Sequence, residues 1–110
     1  MTQFTSISLG ALHNHKLKST TTRTVTAATY STSHTFTPTV GEGVIIRIAT
    51  TGNIFMKGHS SLSGAPSTGN DYLLTAGVHF IRYDSSSGNP YLYFRLVAAG
   101  SETVNIATID

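Results

Sequence analysis

The sequence predicts an all-β fold: an antiparallel β-sandwich or jelly-roll-like barrel with an extended N-terminal arm. Three observations carry that reading. Short apolar runs of period 2 recur at intervals of about ten residues, separated by glycine-containing turns. No segment repeats apolar residues at i, i+3, i+4 and i+7 between caps, and Ala11–Lys18 is the one stretch that reads as a short helix. Ser and Thr make up 31 of the 110 residues, and β-branched threonine favours extended backbone. A chain of this length is one domain, large enough to bury a core without metal or disulfide.

Residues 1–37 read as the arm. They are Thr-rich, and between Leu17 and Val25 there is no large apolar side chain. Such a run buries little area to offset chain entropy. Short strands are expected at Phe4–Leu9 and His34–Thr37. Residues 38–110 read as the sandwich core. In Val44–Thr50, Val44, Ile46 and Ile48 share one face with Arg47 opposite. Thr51-Gly52-Asn53 turns the chain into a strand at Ile54–Lys57. His59–Asp71, rich in Ser and Gly and carrying Pro66, reads as an exposed loop.

Tyr72–Thr75 is the next strand, and Ala76-Gly77 turns it into Val78–Tyr83, whose Val78 and Phe80 are expected to face the core. Asp84–Pro90 is a turn cluster. Tyr91–Val97 points Leu92, Phe94 and Leu96 inward and Tyr91, Tyr93 and Arg95 outward. The last strand, Thr103–Ala107, points Val104 and Ile106 inward.

Charge and composition bound the function. Charged residues are 11% of the chain and the net charge is +2, against about 25% charged in a typical soluble domain. That is too little for a nucleic-acid partner held by phosphate neutralisation. The absence of cysteine excludes disulfides, Cys-ligated zinc and thiol catalysis. No apolar run approaches the roughly 18 residues of a membrane helix. Met-Thr-Gln-Phe lacks the start of a signal peptide, so synthesis in a cytoplasm is expected.

Chemistry-bearing residues are few. His13 and His15 share a strand face and could meet one metal ion, but two ligands do not close a site, and the alternative is two solvated polar residues. No metal or other cofactor is expected. His59, Ser60, Ser61, Asp71 and Asp84 supply the residue types of a triad, yet no Gly-x-Ser-x-Gly frames a serine. Gly41-x-Gly43 lacks the rest of a dinucleotide fingerprint. No catalysis and no small-molecule substrate are expected. Tyr91, Tyr93 and Arg95 either anchor a protein partner or cover a second buried face of the sandwich. A neutral, hydroxyl-rich surface with extended edges suits a subunit that spends its life assembled.

Arg47-Ile48-Ala49-Thr50-Thr51-Gly52-Asn53-Ile54-Phe55-Met56-Lys57-Gly58 resembles a hairpin of small β-sandwich virion proteins of tailed bacteriophages. Leu74-Thr75-Ala76-Gly77 with Phe80, and Ala99-Gly100-Ser101-Glu102-Thr103-Val104-Asn105-Ile106, are similar to that family's later turn and closing strand. The likeness covers residues 40–110. It implies a non-enzymatic particle component on the capsid surface: a decoration (cement) protein that binds and stabilises the assembled head. Its expected partners are the major capsid protein and copies of itself, as a homotrimer. The arm, through Phe4, Ile7 and Leu9, would anchor on a neighbour. The alternatives are a receptor- or glycan-binding module of a tail fibre, using Tyr91, Tyr93 and the His59–Asp71 loop, and a neck or tail adaptor.

Overall fold

A computed structural model describes residues 4–6, 17–37, 44–69, 71–83 and 89–109. Among the described residues it is an all-β sandwich of nine strands: β1 (Phe4–Ser6), β2 (Leu17–Val25), β3 (Thr35–Phe36), β4 (Val44–Thr50), β5 (Ile54–His59), β6 (Tyr72–Leu74), β7 (Gly77–Tyr83), β8 (Tyr91–Leu96) and β9 (Glu102–Ile109). One sheet has the order β1-β7-β4-β9-β2 and the other β3-β8-β5-β6.

The pairing is nested. β5 pairs β6, β4 pairs β7, β3 pairs β8 and β2 pairs β9, all antiparallel. The chain is thus one long double ribbon whose two halves fold over each other, joined by the β4–β9 and β5–β8 pairings. That is the two-Greek-key scheme of a jelly roll, with β1 added beside β7.

The ribbon folds this way because alternate residues of most strands are apolar and meet between the sheets. Ile46, Ile48, Ile54, Met56, Leu92, Phe94, Val104 and Ile106 are fully buried, as the period-2 reading expects. Each such side chain contributes roughly 1.5–3 kcal/mol of transfer free energy. The two sides of the sandwich are closed differently. At one, the Phe4 and Tyr72 rings lie 5.5 Å apart, joining β1 to β6. At the other, Arg23 Nε donates to Thr35 O at 3.0 Å, joining β2 to β3.

Two expectations are corrected. In β7 the inward residue is Ile81, which is fully buried, while Val78 is 56% exposed and Phe80 lies half-buried on the outer face. The register explains it. Ile81 is opposite Ile46 and Phe80 opposite Arg47, and residues opposite one another share a face. Residues Leu17–Val25, read as an arm too polar to pack, form the longest strand and pair with β9 at eight positions. Threonine's β preference and a ladder that is regular from Ser19 to Val25, with a register shift between Leu17 and Ser19, suffice once β9 supplies the template, and Val25 is fully buried beneath it. Strands β1, β2 and β3 therefore lie in the two sheets, on the N-terminal side of the expected boundary at residue 38. Of the expected helix Ala11–Lys18, residues 11–16 lie outside the described residues, and Leu17 and Lys18 begin β2.

Candidate functional site

The outer face of the four-stranded sheet is built by the residues that alternate with the core. Phe55, Lys57 and His59 of β5 stand opposite Arg95, Tyr93 and Tyr91 of β8. Two connections fold over this face. The β2–β3 loop is fastened by main-chain bonds from Leu96 N to Ala27 O at 2.8 Å and from Phe94 N to His34 O at 3.0 Å. The β5–β6 loop is fastened by side chains that rise from the sheet.

Arg95, Asp71 and Tyr30 form the central fastening. Arg95 Nη2 donates to Asp71 Oδ2 at 2.5 Å, and their side chains are 13% and 6% exposed. Tyr30 donates its hydroxyl to Asp71 Oδ1 at 2.5 Å, and Gly69 N–H donates to Asp71 Oδ2 at 3.2 Å. Gly69 has φ +121°, a conformation that L side chains rarely adopt, which lets its N–H turn toward the carboxylate. Arg95 Nη1 reaches Ala28 O at 3.3 Å. Its guanidinium lies 4.2 Å from the Phe55 ring centroid and 5.5 Å from that of Tyr30, cation–π distances that favour a desolvated arginine.

Around it, Tyr93 donates to Ser61 O at 2.7 Å, and Lys57 Nζ donates to Ser67 O at 2.9 Å and Gly69 O at 2.8 Å. The Tyr93 ring meets His59 and Tyr30 edge-on at 5.6 and 6.4 Å.

The electrostatics follow from burial and pairing. Burial opposes the charge on Asp71, but the hydrogen bonds from Tyr30, Arg95 and Gly69 outweigh it and hold the carboxyl below its ordinary value. Burial, then the Asp71 carboxylate, pushes the Tyr30 phenol far above its ordinary value. Burial pushes the Tyr93 phenol up as well. Burial works against the Arg95 charge, and Asp71 more than restores it. All three groups of the fastening keep one protonation state near neutrality. The arrangement holds two loops on a sheet.

The sequence-predicted site residues fall into three sets. Tyr91, Tyr93 and Arg95 do point away from the core, but the expectation that they present a surface is corrected. Tyr93 is fully buried and Arg95 nearly so, because the two loops cover them; Tyr91 is half-buried. The second of the two readings, a further buried face, describes Tyr93 and Arg95. Phe4, expected to anchor on a neighbour, is 8% exposed and packs into this chain's own core against Tyr72. Ile7, Leu9, His13 and His15 lie outside the described residues.

The triad types are not assembled. Among the described residues no hydrogen bond joins His59 to Ser60, Ser61 or Asp71; Ser61 Oγ pairs with Ser63 Oγ at 2.7 Å, and Asp71 is taken as above. Asp84 lies outside the described residues. Among the described residues no three His, Asp or Glu side chains are placed to hold a metal ion. A hollow of about 260 Å³ lies at one end of the sandwich between Asn53, Val97 and Glu102, below the range of about 300–1,000 Å³ usual for small-molecule sites. Tyr30 was the residue that the sequence reading passed over. Its signal is its isolation, as the single aromatic between Val25 and Phe36.

Comparison of the chain with protein-family models, with curated proteins and with solved structures finds no match.

Proposed function

We propose that this chain is a non-catalytic structural subunit of a phage virion, a capsid decoration protein that binds the assembled head and stabilises it. The observation that carries this reading is the use made of the chemistry-bearing side chains. Tyr30, Asp71, Arg95, Lys57 and Tyr93 are spent on fastening the chain's own loops. What faces outward along β2 and β9 is hydroxyl- and amide-bearing: Thr20, Thr22 and Thr24 are exposed, and Arg47, Asn105 and Thr22 are linked by hydrogen bonds of 2.9 and 3.0 Å, while Arg82 and Val78 are exposed on β7. Such a module is suited to adding contacts across a lattice, and the low overall charge agrees with life in an assembly.

The physics is linkage. A subunit that binds only the assembled shell stabilises it by RT ln(1 + [L]/Kd) at every occupied site. The tail-fibre glycan reading loses its aromatic platform, since Tyr93 is buried under the β5–β6 loop. The test is add-back to heads purified without this protein. Saturable binding at a fixed ratio to the major capsid protein, with greater resistance to heat or low salt, supports the proposal. Heads that bind none of it overturn the proposal.

A further inference from the structure

We infer that the outer face of the five-stranded sheet is the surface that meets the shell, a step that rests on the decoration role. Arg47, at the centre of that face, seats an aspartate or glutamate carboxylate of a shell subunit. It lies on β4, the middle strand of the order β1-β7-β4-β9-β2. Its side chain leans across to β9, where Nη2 donates to Asn105 Oδ1 at 2.9 Å. Asn105 Nδ2 in turn donates to Thr22 Oγ1 on β2 at 3.0 Å, which fixes the amide with its oxygen toward the arginine. The guanidinium is thus held in place before any partner arrives.

It is held but not neutralised. Arg95, on the other sheet, is matched by the Asp71 carboxylate, whereas the acceptor for Arg47 is an uncharged amide. Among the described residues no carboxylate pairs with Arg47, and its half-buried side chain leaves Nε buried with no hydrogen-bond partner. A guanidinium partly withdrawn from water without a counter-charge is costly. A carboxylate, which a guanidinium meets with two parallel N–H donors, offsets that cost. The surroundings favour one carried by a protein. On the β7 flank Val78 is 56% exposed, and Phe80, opposite Arg47, is half-buried; on the β2 flank Thr22 and Thr24 are exposed. An arginine at the centre, an aromatic and an aliphatic residue beside it and a polar rim make the anatomy of a protein interface. Arg82, the other charged side chain described on this face, is also basic, so no described acid repels a carboxylate. Two cations serve a polyanion such as nucleic acid poorly, since its affinity grows with the number of phosphates neutralised.

The test is add-back to heads purified without this protein, with charge altered on one sheet face at a time. Arg47→Gln should weaken binding about tenfold or more, and so should Val78→Glu, at an exposed site diagonal to Arg47. Leu73→Glu, 49% exposed on β6 of the other sheet, should bind as the wild type does. Thermal unfolding of Val78→Glu and Leu73→Glu, unchanged from wild type, shows that both are folded. Intact heads whose surface carboxylates are capped with a carbodiimide and ethanolamine should not bind the wild type. Equal binding by wild type, Arg47→Gln and Val78→Glu, a loss confined to Leu73→Glu, or full binding to capped heads would each overturn the inference and leave the decoration role standing. Uncapped heads that bind no wild type would overturn both.

Discussion

Arg95 and Asp71 meet at 2.5 Å beneath the β5–β6 loop, with both side chains largely withdrawn from water. Arg95 belongs to β8 and Asp71 to the end of that loop, so the pair ties the connection between two neighbouring strands to a third. Removing one member of a buried pair leaves the other charged and unpaired, which costs roughly 3–5 kcal/mol. Asp71→Ala should therefore cost about 3 kcal/mol in urea unfolding. The double replacement Asp71→Leu with Arg95→Leu should cost less than either single change. A double mutant that is the least stable of the three would show that the pair itself, and not the stranded charge, sets the cost.

The same pair sets an acid limit. The Asp71 carboxyl lies below its ordinary 3.8 in the fold, so folding favours the charged form. That contribution is complete above about pH 3.8 and is lost as the pH falls through the lowered folded value. Tyr30 gives the opposite sign: its phenol is raised above 10.0, so its contribution is complete below pH 10 and declines as the pH rises toward the folded value. Urea midpoints measured against pH should show the acid loss shrink in Asp71→Asn. The alkaline loss should shrink in Tyr30→Phe.

Tyr93→Phe deletes the bond to Ser61 O and leaves the ring in place. The expected loss is about 0.5–1.5 kcal/mol. Opening is concentrated in the loop, so amides near residues 61–64 should exchange faster while those of β4 and β9 stay protected.

A Cβ added at Gly52 would lie 1.7 Å from Glu102 Oε2. The obstacle is the end of a flexible side chain, so Gly52→Ala should displace the carboxylate and break its 3.0 Å bond from the Thr51 hydroxyl. The expected cost is below about 1 kcal/mol. Chemical unfolding of the cycle with Glu102→Ala checks it, because the penalty should vanish when Glu102 is already truncated.

The orientation of β7 is testable by a pair of substitutions. Ile81→Ala should cost about 2–4 kcal/mol, and Val78→Ser at a site 56% exposed no more than about 0.5 kcal/mol. Equal costs would return Val78 to the core.

The comparison of β8 with β7 explains what the sequence could reveal. In β8 the aliphatic and ring side chains at 92, 94 and 96 alternate with tyrosines and an arginine, and the inward face is unambiguous. β7 carries apolar residues in both phases, at Val78 and Phe80 and at Ile81, and only its pairing with Ile46 decides. β2 was illegible for another reason. Its stability comes from main-chain pairing with β9, which leaves no mark in a run of threonines. The cover over Tyr93 and Arg95 is made in part by carbonyl groups, those of Ser61 and Ala28, as the neighbouring Lys57 is held by those of Ser67 and Gly69. Main-chain acceptors have no residue signature, so the outward direction of these side chains was legible and their burial was not.

The central claim, that this chain is a structural subunit repeated over an assembled head, is tested most directly by counting its copies per purified particle. Quantitative mass spectrometry against the major capsid protein gives that number. The expected result is on the order of hundreds of copies, the multiplicity over which binding linkage would stabilise a shell. A dozen or so copies would place the chain at a neck, tail or fibre and contradict the decoration role, and its absence from the particle would contradict the virion reading as a whole.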